Sequence, residues 1–145
     1  MKKLLLLMTL ISLPSYAAVS ANVSFASDYI WRGMTQSDGP AIQGGFDFEA
    51  DGGFYAGIWG SNVNFNDGAG SELDYYFGYG FETGGLGVDI GYIADDYPQN
   101  KTGLDFEEVY PGLSMGDLGL TFAMGQDGAP DYTEISYGIG DFGFS

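Results

Sequence analysis

The chain has 145 residues, enough for one domain, with 20 acidic against four basic residues and a net charge of −16. It has no cysteine and no histidine, which excludes a disulfide framework, a thiolate metal site, a histidine-bound zinc and a serine–histidine triad. The acidic balance also argues against nucleic acid, whose phosphates need Lys and Arg.

The chain opens with a basic Lys2–Lys3 pair and an apolar run over residues 4–13, too short to span a bilayer comfortably. Ser15 and Ala17 then offer small residues for a cleavage site. This pattern predicts a Sec-type signal peptide over residues 1–17 and one β-domain over residues 18–145. Cleavage would leave Arg32 and Lys101 as the only basic residues. Aromatics at 17% and 25 glycines separate the chain from acidic disordered sequences. Exported, Gly- and aromatic-rich and Cys-free is the composition of an outer-membrane β-barrel.

Period-two alternation bounded by turn residues then recurs along the chain. A first strand is predicted over residues 21–34, with Val23, Phe25, Tyr29 and Trp31 on one face and Asn22, Asp28 and Arg32 on the other. A second runs over 41–50, where Ile42, Phe46 and Phe48 oppose Gln43, Asp47 and Glu49. A third spans 54–63. The clearest spans 72–82, with Leu73, Tyr75, Phe77, Tyr79 and Phe81 opposing Glu72, Asp74, Tyr76, Gly78, Gly80 and Glu82. Strands over 86–94, 104–114, 118–124 and 132–139 follow. Pro111 lacks an amide hydrogen and is expected to mark a strand end or bulge.

The connections alternate strictly between long and short. Residues 51–53, 83–85 and 115–117 make tight turns; 35–40, 64–71, 95–103 and 125–131 make longer loops. An up-and-down antiparallel transmembrane β-barrel of about eight strands alternates in this way, with tight turns at the periplasmic rim. A soluble antiparallel sandwich is the competing architecture, and would need its apolar faces to meet in one core.

Lipid accepts the aromatic and aliphatic face, so the acidic face is expected to line the interior. Asp28, Arg32, Asp47, Glu49, Glu72 and Asp74 are the candidate lumen-lining residues, with Glu82 and Asp89 of the same parity. About seven carboxylates packed in the side-chain-filled interior of an eight-stranded barrel would be costly. The motif Gly116-Asp117-Leu118-Gly119-Leu120 also recurs as Gly140-Asp141-Phe142-Gly143-Phe144, as if a ninth strand begins there. Both features point to part of a larger barrel; the alternative is a natural barrel end, which commonly falls on an aromatic residue such as Phe144.

The segments "SDYIWRGMTQSDGPAIQGGFDF", "GFYAGIWGSNV", "ELDYYFGYG", "GYIADDYP" and "EEVYPGLS" resemble the TorF family of proteobacterial outer-membrane proteins, taken to be porins. The resemblance implies an outer-membrane β-barrel with a channel role. It carries no catalytic residue across.

A porin needs a hydrated lumen whose charges select solutes rather than bond-making chemistry. An acidic lining attracts cations and repels anions. The expected partners are therefore outer-membrane lipid and small hydrophilic or cationic solutes. The alternative is a non-conducting structural or ligand-binding barrel. No enzyme, cofactor or metal is expected. Pairs such as Asp47/Glu49 follow from strand alternation rather than from glycosidase chemistry. Asp67, Asp95, Asp96, Asp127 and Asp131 lack EF-hand spacing and read as solvated outer-loop residues.

Overall fold

The computed structural model describes residues 17–99, 103–139 and 142–144. The predicted signal peptide lies outside the described residues apart from Ala17, as do Lys101 and the turn residues Gly140 and Asp141. Successive strands pair antiparallel in chain order: β1 (Ala17–Ala26), β4 (Ala41–Ala50), β5 (Phe54–Asn62), β6 (Ser71–Thr83), β7 (Leu86–Asp96), β8 (Phe106–Met115), β9 (Leu118–Gly125), β10 (Tyr132–Ile139) and the short β11 (Phe142–Phe144). A separate two-stranded ribbon, β2 (Ile30–Trp31) with β3 (Met34–Thr35), interrupts the path from β1 to β4. The result is an all-β, up-and-down sheet of eight long strands extended by β11, with no helix among the described residues. β1 and β11 are its edges and do not pair with each other, so the sheet is not closed.

The tight turns set the register. Gly84 and Gly85 both have positive φ, as a two-residue type I′ turn requires, and they join Thr83 directly to its partner Leu86. Between Met115 and Leu118 the two-residue turn has positive φ at Gly116 alone, +59°, as a type II′ turn does. From these turns the ladders run without slippage. Pro111 differs from expectation: it lies inside β8, and the pairing with β9 keeps one register on both sides of it. The missing amide hydrogen interrupts the ladder without ending the strand or inserting a bulge.

Alternation then sorts the side chains. Val23, Phe25, Ile42, Phe46, Phe77, Ile90, Phe122 and Ile135 all point to one face, where each is 43–80% exposed. The opposite face is polar and locked across strands. Tyr76 donates its hydroxyl hydrogen to Asp47, to which Asn22 Nδ2 also donates at 3.3 Å. Tyr55 donates to Asp89 at 2.9 Å, and its hydroxyl lies 3.0 Å from that of Tyr110. These rings need room. Tyr76, Tyr55 and Tyr110 lie over their cross-strand partners Gly57, Gly78 and Gly91, where a Cβ atom would collide with the ring.

The first predicted strand is corrected by the structure. β1 stops at Ala26, and residues 27–40 leave the ladder. Arg32 and Gly33 have φ of +47° and +79°, closing a type I′ turn between Trp31 and Met34. The β2–β3 hairpin folds over the polar face. Tyr29 therefore meets Trp59, and Trp31 meets Phe106, instead of facing outward.

The hairpin also reveals the shape of the sheet. The Arg32 guanidinium sits over the ring of Tyr132 on β10. In a flat sheet β10 would lie about 34 Å from β1, at about 4.8 Å per strand. Six residues beyond Ala26 reach about 20 Å. Residues 27 and 28 bend, so the segment falls short of that reach, and the sheet curls around its polar face.

Packed apolar core is scarce. Val63, Ala69 and Tyr97 form a buried cluster with Tyr29, Phe65 and Phe106 against it, beneath the long loops. Among the described residues, five hydrophobic residues are buried and 22 large ones are exposed. That ratio is the reverse of a water-soluble domain.

Candidate functional site

The long-loop rim of the polar face collects the most unusual charges. Glu72 and Asp74 stand two residues apart near the start of β6, so both point to the polar face. The Gly84–Gly85 turn puts Asp95, near the end of β7, directly opposite Asp74. Glu108, near the start of β8, is paired with Ile93 and faces the same way. The strand ends thus deliver four carboxylates to one place, and all four are buried.

One of them is neutralised. Arg32 donates from Nη1 and Nη2 to the two carboxylate oxygens of Glu108 at 2.7 and 2.8 Å. This two-pronged pairing is the strong form of a charged hydrogen bond. The guanidinium is stacked between Trp31 and Tyr132, 4.1 Å from each ring centroid. Hairpin, β8 and β10 are joined through this single side chain.

Among the described residues, the other three have no ion pair. Donor oxygens of Glu72, Asp74 and Asp95 lie within 4.8 Å of one another. Tyr29 donates its hydroxyl hydrogen to Glu72 Oε1 at 2.8 Å. Glu72 Oε2 and Asp74 Oδ1 are buried with no hydrogen-bond partner. Around this cluster the phenols stay protonated: burial, then the charge and hydrogen bond of Glu72, pushes Tyr29 and Tyr97 far above the usual tyrosine range.

Asp95 also opens onto a cleft of about 660 Å³ between the hairpin and the loops after β7 and β9. Asp96, Asp105, Glu107, Glu108 and Asp127 line it, and Arg32 is its only base among the described residues. A space so lined favours cations over anions.

The candidate lumen-lining residues therefore divide. Glu72 and Asp74 enter the buried cluster, and Asp47 shares the polar face with Asp89 under tyrosine hydroxyls. Glu49 and Glu82 are exposed towards the tight-turn end. Arg32 meets Glu108 across the sheet rather than a carboxylate on an adjoining strand. Asp28 is placed at the hairpin, off the long strands. It accepts hydrogen bonds from Thr35 and Ser37 at 2.7 and 3.0 Å and ties the base of the hairpin, because the chain has already left the ladder there. Asp95 is corrected as well: it is a buried strand residue, not a solvated loop residue. The exact pairing of β6 with β7 through Gly84–Gly85 was the available signal for it. Glu108 had no such signal, because a long loop separates β7 from β8.

Fold and rim together define an antiparallel β-meander protein with an apolar outer face and an acid-rich rim. The chain belongs to the family described as "Bacterial protein of unknown function (Gcw_chp)", whose model matches residues 13–138. Nothing in that description ties it to TorF proteins or to porins. No curated protein and no solved structure matches the chain.

Proposed function

We propose that the chain forms wall of an outer-membrane β-barrel after Sec-dependent export, and that its polar face borders a passage preferring cations, as the resemblance to TorF-type porins implies. One observation carries the reading: an apolar face exposed along its length backs onto a polar face of tyrosines and carboxylates. In water such a face would drive association; in lipid it is the required surface. The acidic rim supplies the charge sign of the preference. Planar-bilayer recording tests it. Discrete steps with a cation-selective reversal potential are expected, and Asp47→Asn with Glu49→Gln should shift that potential towards zero. A silent membrane containing folded protein would overturn conduction.

A second reading, a non-conducting binding barrel, is favoured by the hairpin. It lies across the polar face and is tied to β6, β8 and β10, which narrows any passage at the rim. Silent recordings with folded protein are the outcome that reading expects.

A further inference from the structure

We propose that Glu72, Asp74 and Asp95 form a binding site for a hard divalent cation, with calcium as the ion that fits. The inference goes beyond the channel reading and stands whether or not the protein conducts.

Three observations converge. The donor oxygens lie within 4.8 Å of one another, a span that one ion with oxygen ligands at about 2.4 Å can bridge. Two oxygens, Glu72 Oε2 and Asp74 Oδ1, are buried without a hydrogen-bond partner, on side chains 2% and 7% exposed. Buried carboxyl oxygens are normally satisfied, and an orphaned pair within one cluster points to a missing ligand. Finally, Asp95 belongs both to the cluster and to the acid-lined cleft, which gives an ion a route in.

Among the described residues, no basic side chain is free to be that partner. Arg32 is committed to both oxygens of Glu108 and held there by two aromatic rings. Tyr29 donates to Glu72 Oε1, and Glu72 Oε2 has no hydrogen-bond partner among the described residues. An all-oxygen donor set in a chain without histidine or cysteine disfavours zinc and copper. Magnesium keeps several of its waters and demands shorter, strictly octahedral contacts, whereas calcium tolerates irregular carboxylate cages. The ion would join β6 to β7 where Asp74 and Asp95 face each other across the ladder.

Terbium replaces calcium in such sites and emits when a nearby phenol absorbs, so Tyr29 and Tyr97 supply an internal antenna. The full chain, refolded in detergent after chelation, should show tyrosine-sensitised terbium emission that calcium displaces. Glu72→Gln with Asp74→Asn should weaken terbium affinity at least about tenfold, the size of loss seen even for outer-shell changes. Asp51→Asn, in the tight turn at the opposite end, should leave it unchanged. Stability gives a second readout that survives poor folding of the double variant. Calcium should raise the melting temperature of the unaltered protein above its value in chelator. Equal terbium affinity in the double variant and the unaltered protein, or no effect of millimolar calcium on melting, would overturn the proposal.

Discussion

Arg32 holds a backbone conformation that non-glycine residues avoid, at a cost of about 1–3 kcal/mol. The two-pronged bond to Glu108 and the two ring faces offset that cost. Arg32→Gln should leave Glu108 buried and unpaired, destabilising the fold by about 3–5 kcal/mol. Adding Glu108→Gln should restore much of the loss, and denaturant midpoints in detergent measure both. A loss under about 1 kcal/mol, the size of a surface pair, would show the bridge to be ornamental. Gly57 offers a steric counterpart. Gly57→Ala puts a methyl group into the Tyr76 ring and should cost about 1–3 kcal/mol by overpacking. If Tyr76→Ser in the same chain does not recover part of that loss, the ring contact is not its cause.

The β2–β3 hairpin is the element that distinguishes this sheet from a plain meander. Its base depends on Asp28. The Thr35 hydroxyl, and after it Ser37 and nearby backbone amides, hold the Asp28 carboxyl below its usual value against a smaller opposing effect of desolvation. A depressed value means that the ionised form supports the folded hairpin. That support is complete above the unfolded value of about 3.9 and is lost as pH falls through the lower folded value. Trp31 fluorescence should therefore change on acidification below about pH 4. Asp28→Asn should remove that acid step, and its persistence in the variant would assign it to another group. The long strands were legible because alternation with period two is strong in residues 72–82 and 86–94. The hairpin was not. "YIWRG" continues the alternation of β1, and Arg-Gly conceals a turn that Asn-Gly would have announced. For the rim, Glu72 and Asp74 were readable from parity and Asp95 from a tight turn. Glu108 was not, since its place opposite Ile93 depends on a long loop whose length sets no register.

At the scale of the whole molecule, the polar face is ordered by hydrogen bonds and the apolar face by whatever solvent surrounds it. The curl of the sheet turns the polar face inward and spreads Phe25, Phe46, Phe77 and Ile90 over the outside. Transfer of such a face out of water contributes about 25 cal/mol per Å². The outer sides of the edge strands β1 and β11 have no strand partner among the described residues, and backbone groups in lipid require one. Closure by further strands or by another chain should therefore protect β1 amides from hydrogen exchange in a bilayer. Rapid exchange along β1 in the reconstituted protein would show that edge to be open.

The absence of native cysteine makes the central claim, that the apolar face meets lipid, directly measurable. Single substitutions Phe46→Cys and Phe77→Cys on the apolar face, and Asp47→Cys and Thr121→Cys on the polar face, can each be labelled after reconstitution into vesicles. The first two should resist a charged, membrane-impermeant thiol reagent and be quenched by nitroxides in the acyl chains. The second two should react with the reagent and escape the quencher. Fast aqueous labelling at Phe46→Cys and Phe77→Cys in folded protein, equal to that in denaturant, would contradict the account.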